Sequence, residues 1–137
     1  WGRPDMAPIL FANAIKNERP IKVFNNGDMS RDFTYIDDIV NGIELLIEGS
    51  DNTKQADALY RLYNIGNGNP ESLMFFIETI EKCYGVEAKK EFLPMQPGDV
   101  PKTWASTKEL EKLGYKSTTP LPQGIKRFID WFKTYYS

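Results

Sequence analysis

Apolar residues recur at helical spacing in four long stretches of the chain. After Pro120-Leu121-Pro122, residues Ile125, Phe128, Ile129, Phe132 and Tyr136 form one broad stripe, the core face of a terminal helix. The same period runs through Ile36, Ile39, Val40, Ile43, Leu46 and Ile47 and stops at Gly49. Thr34 and Asp37 open that helix as a capping-box-like start, an acid standing in for the usual Glu or Gln. Leu73, Phe76, Ile77 and Ile80 predict a helix over residues 71–84, with Asn69 as N-cap, Pro70 at its first position and Gly85 as its stop. Leu10, Phe11, Ala14 and Ile15 predict another, with Asp5 as N-cap and Pro8 in its first turn, ending before Arg19-Pro20. Ser106 and Glu109 make a further capping box, which opens a short helix through Leu110 and Leu113 to Gly114. Strand-like runs lie at residues 22–24, 31–35, 61–65 and 89–93, whereas residues 50–57 and 95–104 have no periodicity and read as loops. The pattern is that of an α/β fold with about five helices and short strands, without internal repeats or low-complexity tracts.

A length of 137 residues fits one domain with a real core, and 41% hydrophobic with 26% charged residues is an ordinary globular balance. The net charge of −2 gives no electrostatic footprint for nucleic acid. No apolar run is long enough to span a bilayer. No signal peptide is visible, and a first residue Trp1 in place of Met points to a natural start upstream. One cysteine, Cys83, excludes an internal disulfide and suits a reducing cytoplasm; it reads as an unreactive helix residue. Histidine is absent, which removes imidazole acid–base chemistry and most zinc sites.

The richest stretch is residues 23–38, VFNNGDMSRDFTYIDD. It reads as strand, Asn-Asn-Gly-Asp turn, strand and helix, with Arg31 in the middle. An arginine close to a helix N-terminus suits a phosphate. The plain alternative is a hairpin whose arginine is solvated or paired with Asp32. Gly66-Asn67-Gly68 resembles the start of a dinucleotide-binding turn, but Glu71 fills its third glycine position, so two turn glycines are the simpler account. In the 95–104 loop, MQPGDVPKTW, Asp99 is the one acid, and composition alone favours a turn-forming role.

The run Gly-Asp-x-x-Arg-Asp-Phe-x-Tyr-x-x-Asp at residues 27–38 resembles the substrate-side motif of the nucleotide-sugar epimerases and dehydratases of the extended short-chain dehydrogenase/reductase family. WGRPDMA at residues 1–7 and Gln-Pro-Gly-Asp-Val-Pro at residues 96–101 are most similar to the UDP-glucuronate 4-epimerases of that family, and the resemblance runs along the whole chain in order. It implies that residues 1–137 are a C-terminal nucleotide-sugar-binding domain, with a Rossmann domain that binds NAD lying upstream. It implies that Arg31, supported by Arg3, meets the diphosphate or the ribose, and that Lys22 and Phe24 meet uracil through backbone groups and ring, with Met6 packed on the base. It implies that Asp99 accepts from the ribose hydroxyls, with Gln96 nearby. Many relatives carry arginine where Gln96 stands, so diphosphate binding would lean more on Arg31 and Arg3.

The epimerisation that the resemblance implies needs a Gly-rich cofactor turn and a tyrosine activated by a lysine four residues on. None of the seven tyrosines has such a lysine, and no G-x-x-G-x-x-G occurs. The fragment alone is therefore expected to be inactive, carrying no catalytic residue and no cofactor, with a UDP-sugar and the upstream domain as partners and a tendency to self-associate. The substrate domain of a related dehydratase or decarboxylase, and a non-enzymatic nucleotide-sugar-binding module, remain the alternatives.

Overall fold

The computed structural model describes residues 6–49 and 60–136. Chain order runs α1 (Ala7–Lys16), β1 (Ile21–Val23), a 3-10 turn (Phe24–Gly27), β2 (Ser30–Arg31), α2 (Ile36–Gly49), β3 (Glu71–Ser72), α3 (Leu73–Tyr84), β4 (Lys90–Phe92), β5 (Lys102–Thr103), α4 (Lys108–Glu111) and α5 (Leu121–Tyr135). Two small sheets result. β1 pairs parallel with β4, and β2 lies between antiparallel β3 and parallel β5.

The core forms where α1, α3 and α5 close over β1. Phe11, Ile15, Val23, Phe76, Ile80 and Phe132 are among its buried members. The α5 stripe behaves as its spacing demands, burying Leu121, Ile125, Ile129 and Phe132. Phe33 stacks on Phe76 with ring centroids 4.3 Å apart, which fixes the β2–α2 connection to α3. α3 ends as expected at Gly85, whose φ of 87° is open to glycine at no steric cost.

Several local expectations shift. Ser72, not Asn69, caps α3, because residues 71–72 are held in β3 and the Ser72 hydroxyl accepts the Phe75 N–H at 3.1 Å. Thr34 does not cap α2; its hydroxyl accepts the Asn67 N–H at 3.0 Å, and Asp37 pairs with Arg127. Thr107, rather than Ser106, precedes α4. Residues 61–65 join no sheet among the described residues. The expected Asp5 cap lies outside the described residues.

The largest difference concerns α2. Its amphipathic stripe is real, but Ile36, Val40, Ile43 and Ile47 are exposed, Ile47 at 68%. The opposite side is the one this chain covers. Asp38 and Gly42 are buried there, and a Cβ on Gly42 would stand 2.8 Å from Ile65. Leu62, 85% exposed, adds to the uncovered apolar surface.

Candidate functional site

β1 ends in a sharp turn built from residues that tolerate left-handed backbone. Asn25 and Asn26 both have φ 51° and Gly27 has φ 86°, and the Asn25 side chain donates to the Asp28 carbonyl. This turn sends the chain into β2, so that Lys22, Phe24 and Arg31 line one cleft of about 540 Å³ between α1, β1 and β2. In the β1–β4 pair, Ile21 N–H donates to Lys89 and the Val23 carbonyl accepts from Leu93. The parallel ladder alternates, so the Lys22 N–H and C=O point away from β4. Phe24 is half-buried.

Arg31 sits in the middle strand of the second sheet, and β5 draws the 96–103 loop beside it. Its Nη2 donates to Asp99 Oδ1 at 2.9 Å, and its Nη1 donates to the Ser30 and Pro101 carbonyls at 2.9 and 3.1 Å. Both charged side chains remain about 30% exposed (29% and 31%). Asp32 is not the partner of Arg31. Its Oδ2 accepts the N–H groups of Gly68 and Ala105, each at 3.0 Å. Asp99 follows a turn in which Asp99 N–H donates to the Gln96 carbonyl, with Pro97 and Gly98 at the corner and Gly98 at φ 82°. Gln96 itself is exposed. Met6 precedes α1 and is half-exposed; neither it nor Gln96 lines the cleft. Arg3 lies outside the described residues.

Arg19 also lines the cleft, although its place in the sequence suggests no more than a helix stop. Glu18 at φ 53° turns the chain out of α1, and the Arg19 N–H closes on the Ala14 carbonyl at 2.8 Å.

The Gly66-Asn67-Gly68 turn does not fit a dinucleotide. The N–H groups of Asn67 and Gly68 are committed to Thr34 and Asp32, and a Cβ on Gly66 would meet Ala105 at 2.6 Å. These glycines serve close packing against the 31–34 segment. Tyr115 donates to the Gly66 carbonyl at 2.7 Å; burial, then Asp38 and Asp32, push its hydroxyl pKa up. That is the opposite of an activated tyrosine. Asp38, 2% exposed, accepts from the Ser117 and Thr118 hydroxyls and the Thr118 and Thr119 N–H groups at 2.9–3.1 Å. Burial alone would raise its pKa, but these four bonds bring it below the usual carboxylate value. Asp38 closes the sequence run at residues 27–38, but this role was not legible there, because its partners lie about 80 residues away.

With this geometry in hand, the comparisons with known proteins fall into one line. Residues 2–66, which include α1, the turn, Arg31 and α2, match the NAD dependent epimerase/dehydratase family. The chain is 44% identical to a probable UDP-glucuronate 4-epimerase of Rhizobium meliloti, over 99% of this chain and 44% of that protein. It is 43% identical to protein CapI of Staphylococcus aureus, over 99% of this chain and 44% of that one. A crystal structure of UDP-glucuronic acid 4-epimerase from Bacillus cereus, in complex with UDP-glucuronic acid and NAD, superposes with a TM-score of 0.84 at 31% identity. That likeness covers 98% of this chain and 41% of the Bacillus one. The fold is that of the C-terminal portion of the Rossmann-type extended short-chain dehydrogenase/reductase epimerases. The chain spans about two fifths of the length of the curated relatives it matches. Among the described residues, no helix is long and apolar enough to cross a membrane.

Proposed function

We propose that this chain is the nucleotide-sugar-binding portion of an NAD-dependent UDP-glucuronate 4-epimerase, which interconverts UDP-glucuronate and UDP-galacturonate in the cytoplasm. The observation that carries the reading is the convergence of Lys22, Phe24 and Arg31 on one cleft, with Asp99 held against Arg31 from 68 residues away. Arg31 receives the diphosphate, its planar fork suiting a pair of anionic oxygens. The outward N–H and C=O of Lys22 read the edge of uracil, and the Phe24 ring packs on its face. Asp99 accepts from the ribose hydroxyls. The same reading gives Met6 to the base, Gln96 to the neighbourhood of Asp99 and Arg3 to the support of Arg31.

NAD belongs to a separate N-terminal Rossmann domain, and hydride chemistry is what the cofactor supplies there. The part of this chain is to bind and orient the nucleotide. The exposed α2 stripe and Leu62 form the face that meets that domain; without it, the same surface drives self-association.

Titration of isotopically labelled chain with UDP and uridine tests the binding assignment. UDP is expected to bind with a dissociation constant of roughly 0.1–1 mM or weaker, because only part of the pocket is present. Arg31→Ala should cost on the order of 1.5–3 kcal/mol of that binding. Uridine binding as tightly as UDP, or UDP leaving the resonances around Arg31 unmoved, would overturn the assignment.

A further inference from the structure

Arg19 enters the cleft through a strained turn. Glu18 carries φ 53°, a left-handed conformation that is unfavourable for a residue with a long side chain. Around it the end of α1 closes as a Schellman motif. The Glu18 N–H donates to the Ile15 carbonyl at 3.1 Å, and the Arg19 N–H donates to the Ala14 carbonyl at 2.8 Å. Lys89, just before β4, donates from Nζ to the Glu18 carbonyl at 3.2 Å, and Pro20 follows with its restricted φ. The backbone at Arg19 is thus fixed, whereas its exposed side chain lines the cleft beside Lys22 and Phe24 with no hydrogen bond or ion pair among the described residues. Arg31 spends three of its donors within the chain; Arg19 spends none of its five. We propose that Arg19 is a specificity-determining residue of the cleft, donating to an oxo group of the nucleobase and so selecting bases that carry an oxo group beside a ring N–H.

The inference rests on the assignment of the Lys22 backbone to the edge of the base. Within a strand, a residue's N–H lies N-terminal to its own C=O, and both point to the same side. A base that gives its ring N–H to the Lys22 carbonyl therefore turns an oxo group to the Lys22 N–H, on the side from which Arg19 comes. That oxygen has two lone pairs, and the Lys22 N–H occupies one. Three extended residues span at most about 10–11 Å, a gap that a guanidinium side chain and a bound ring close between them. Arg19 then fills the second lone pair. A base with an amino group at that place sets a donor against two donors, which adds repulsion of the wrong base to attraction of the right one.

The test titrates the isotopically labelled 137-residue chain and its Arg19→Ala variant with UDP, CDP, 2-thio-UDP and 4-thio-UDP. A thio group keeps the ring shape and the ring N–H of uracil but is a weak acceptor. Arg19→Gln is the second variant should Ala disturb the end of α1. The wild type is expected to bind one of the two thio analogues, and CDP, more weakly than UDP. Arg19→Ala is expected to bind UDP roughly 3- to 30-fold more weakly than the wild type, with both penalties reduced. Because the base is neutral, that loss should persist in high salt. If UDP binding depends on Arg31 but Arg19→Ala binds all four ligands in the wild-type ratios, the proposal is overturned while the diphosphate assignment stands. A loss that vanishes in high salt marks a phosphate contact and overturns it equally. If the wild-type chain does not bind UDP at all, both fall.

Discussion

Replacing Asp38 by Asn is expected to be among the most damaging single-atom exchanges in this chain. The carboxylate is 2% exposed and takes four hydrogen bonds of 2.9–3.1 Å, two from the Thr118 and Thr119 backbone and two from the Ser117 and Thr118 hydroxyls. It ties the first turn of α2 to the segment that leads into α5. A bond to a charged group contributes about 1.5–3 kcal/mol, and burial of the charge offsets part of the sum. The hydroxyls can rotate to other acceptors, but the two backbone N–H groups cannot. An Asn retains one acceptor and turns an NH₂ toward the donors on the other side, so Asp38→Asn should lose about 2 kcal/mol. Asp38→Ala, which leaves both N–H groups without an acceptor, should lose about 3–4 kcal/mol. Against a total stability of about 5–15 kcal/mol, the Ala variant should melt roughly 10 °C lower.

The loss also has a pH signature. The four bonds hold the folded-state pKa of Asp38 below its ordinary value of 3.8. Between those two values the unfolded chain binds the proton and the folded one does not, so stability rises with pH across that window. The contribution is fully present above the unfolded value, near pH 4, and is lost as pH falls through the lowered folded value. Urea unfolding of wild type and Asp38→Asn from pH 7 downward reads both effects. The gap between them should be constant from about pH 5 to 8 and close below about pH 4. A gap under about 0.5 kcal/mol at pH 7, or one that persists unchanged at pH 3, would refute the clamp.

Two other outcomes follow from the same structure. Ile47→Glu on the exposed face of α2 should change stability by no more than about 0.5 kcal/mol while reducing self-association in sedimentation velocity; a loss of several kcal/mol would mean that this chain covers the face itself. The chain incubated with NAD⁺ and UDP-glucuronate should form no UDP-galacturonate above a blank without protein, since no tyrosine is followed by a lysine four residues on; turnover would refute the division of labour.

Local chemistry was legible in the sequence. The α5 stripe, the stop at Gly85 and the left-handed Asn25-Asn26-Gly27 turn depend on neighbours within one or two turns, and each stands where period and residue type put it. The motif around Arg31 was legible for the same reason, being contiguous. Tertiary structure decided everything that joins distant segments. It gave Arg31 to Asp99 rather than to Asp32, because β5 pairs with β2 and brings the 96–103 loop alongside. It placed Arg19 in the cleft and made Asp38, not Thr34, the anchor of α2. Amphipathicity foretold that α2 has an apolar face, but not what covers it. Hydrophobic spacing measures how much surface a segment needs to bury, whereas the choice of partner depends on which surfaces the rest of the fold presents.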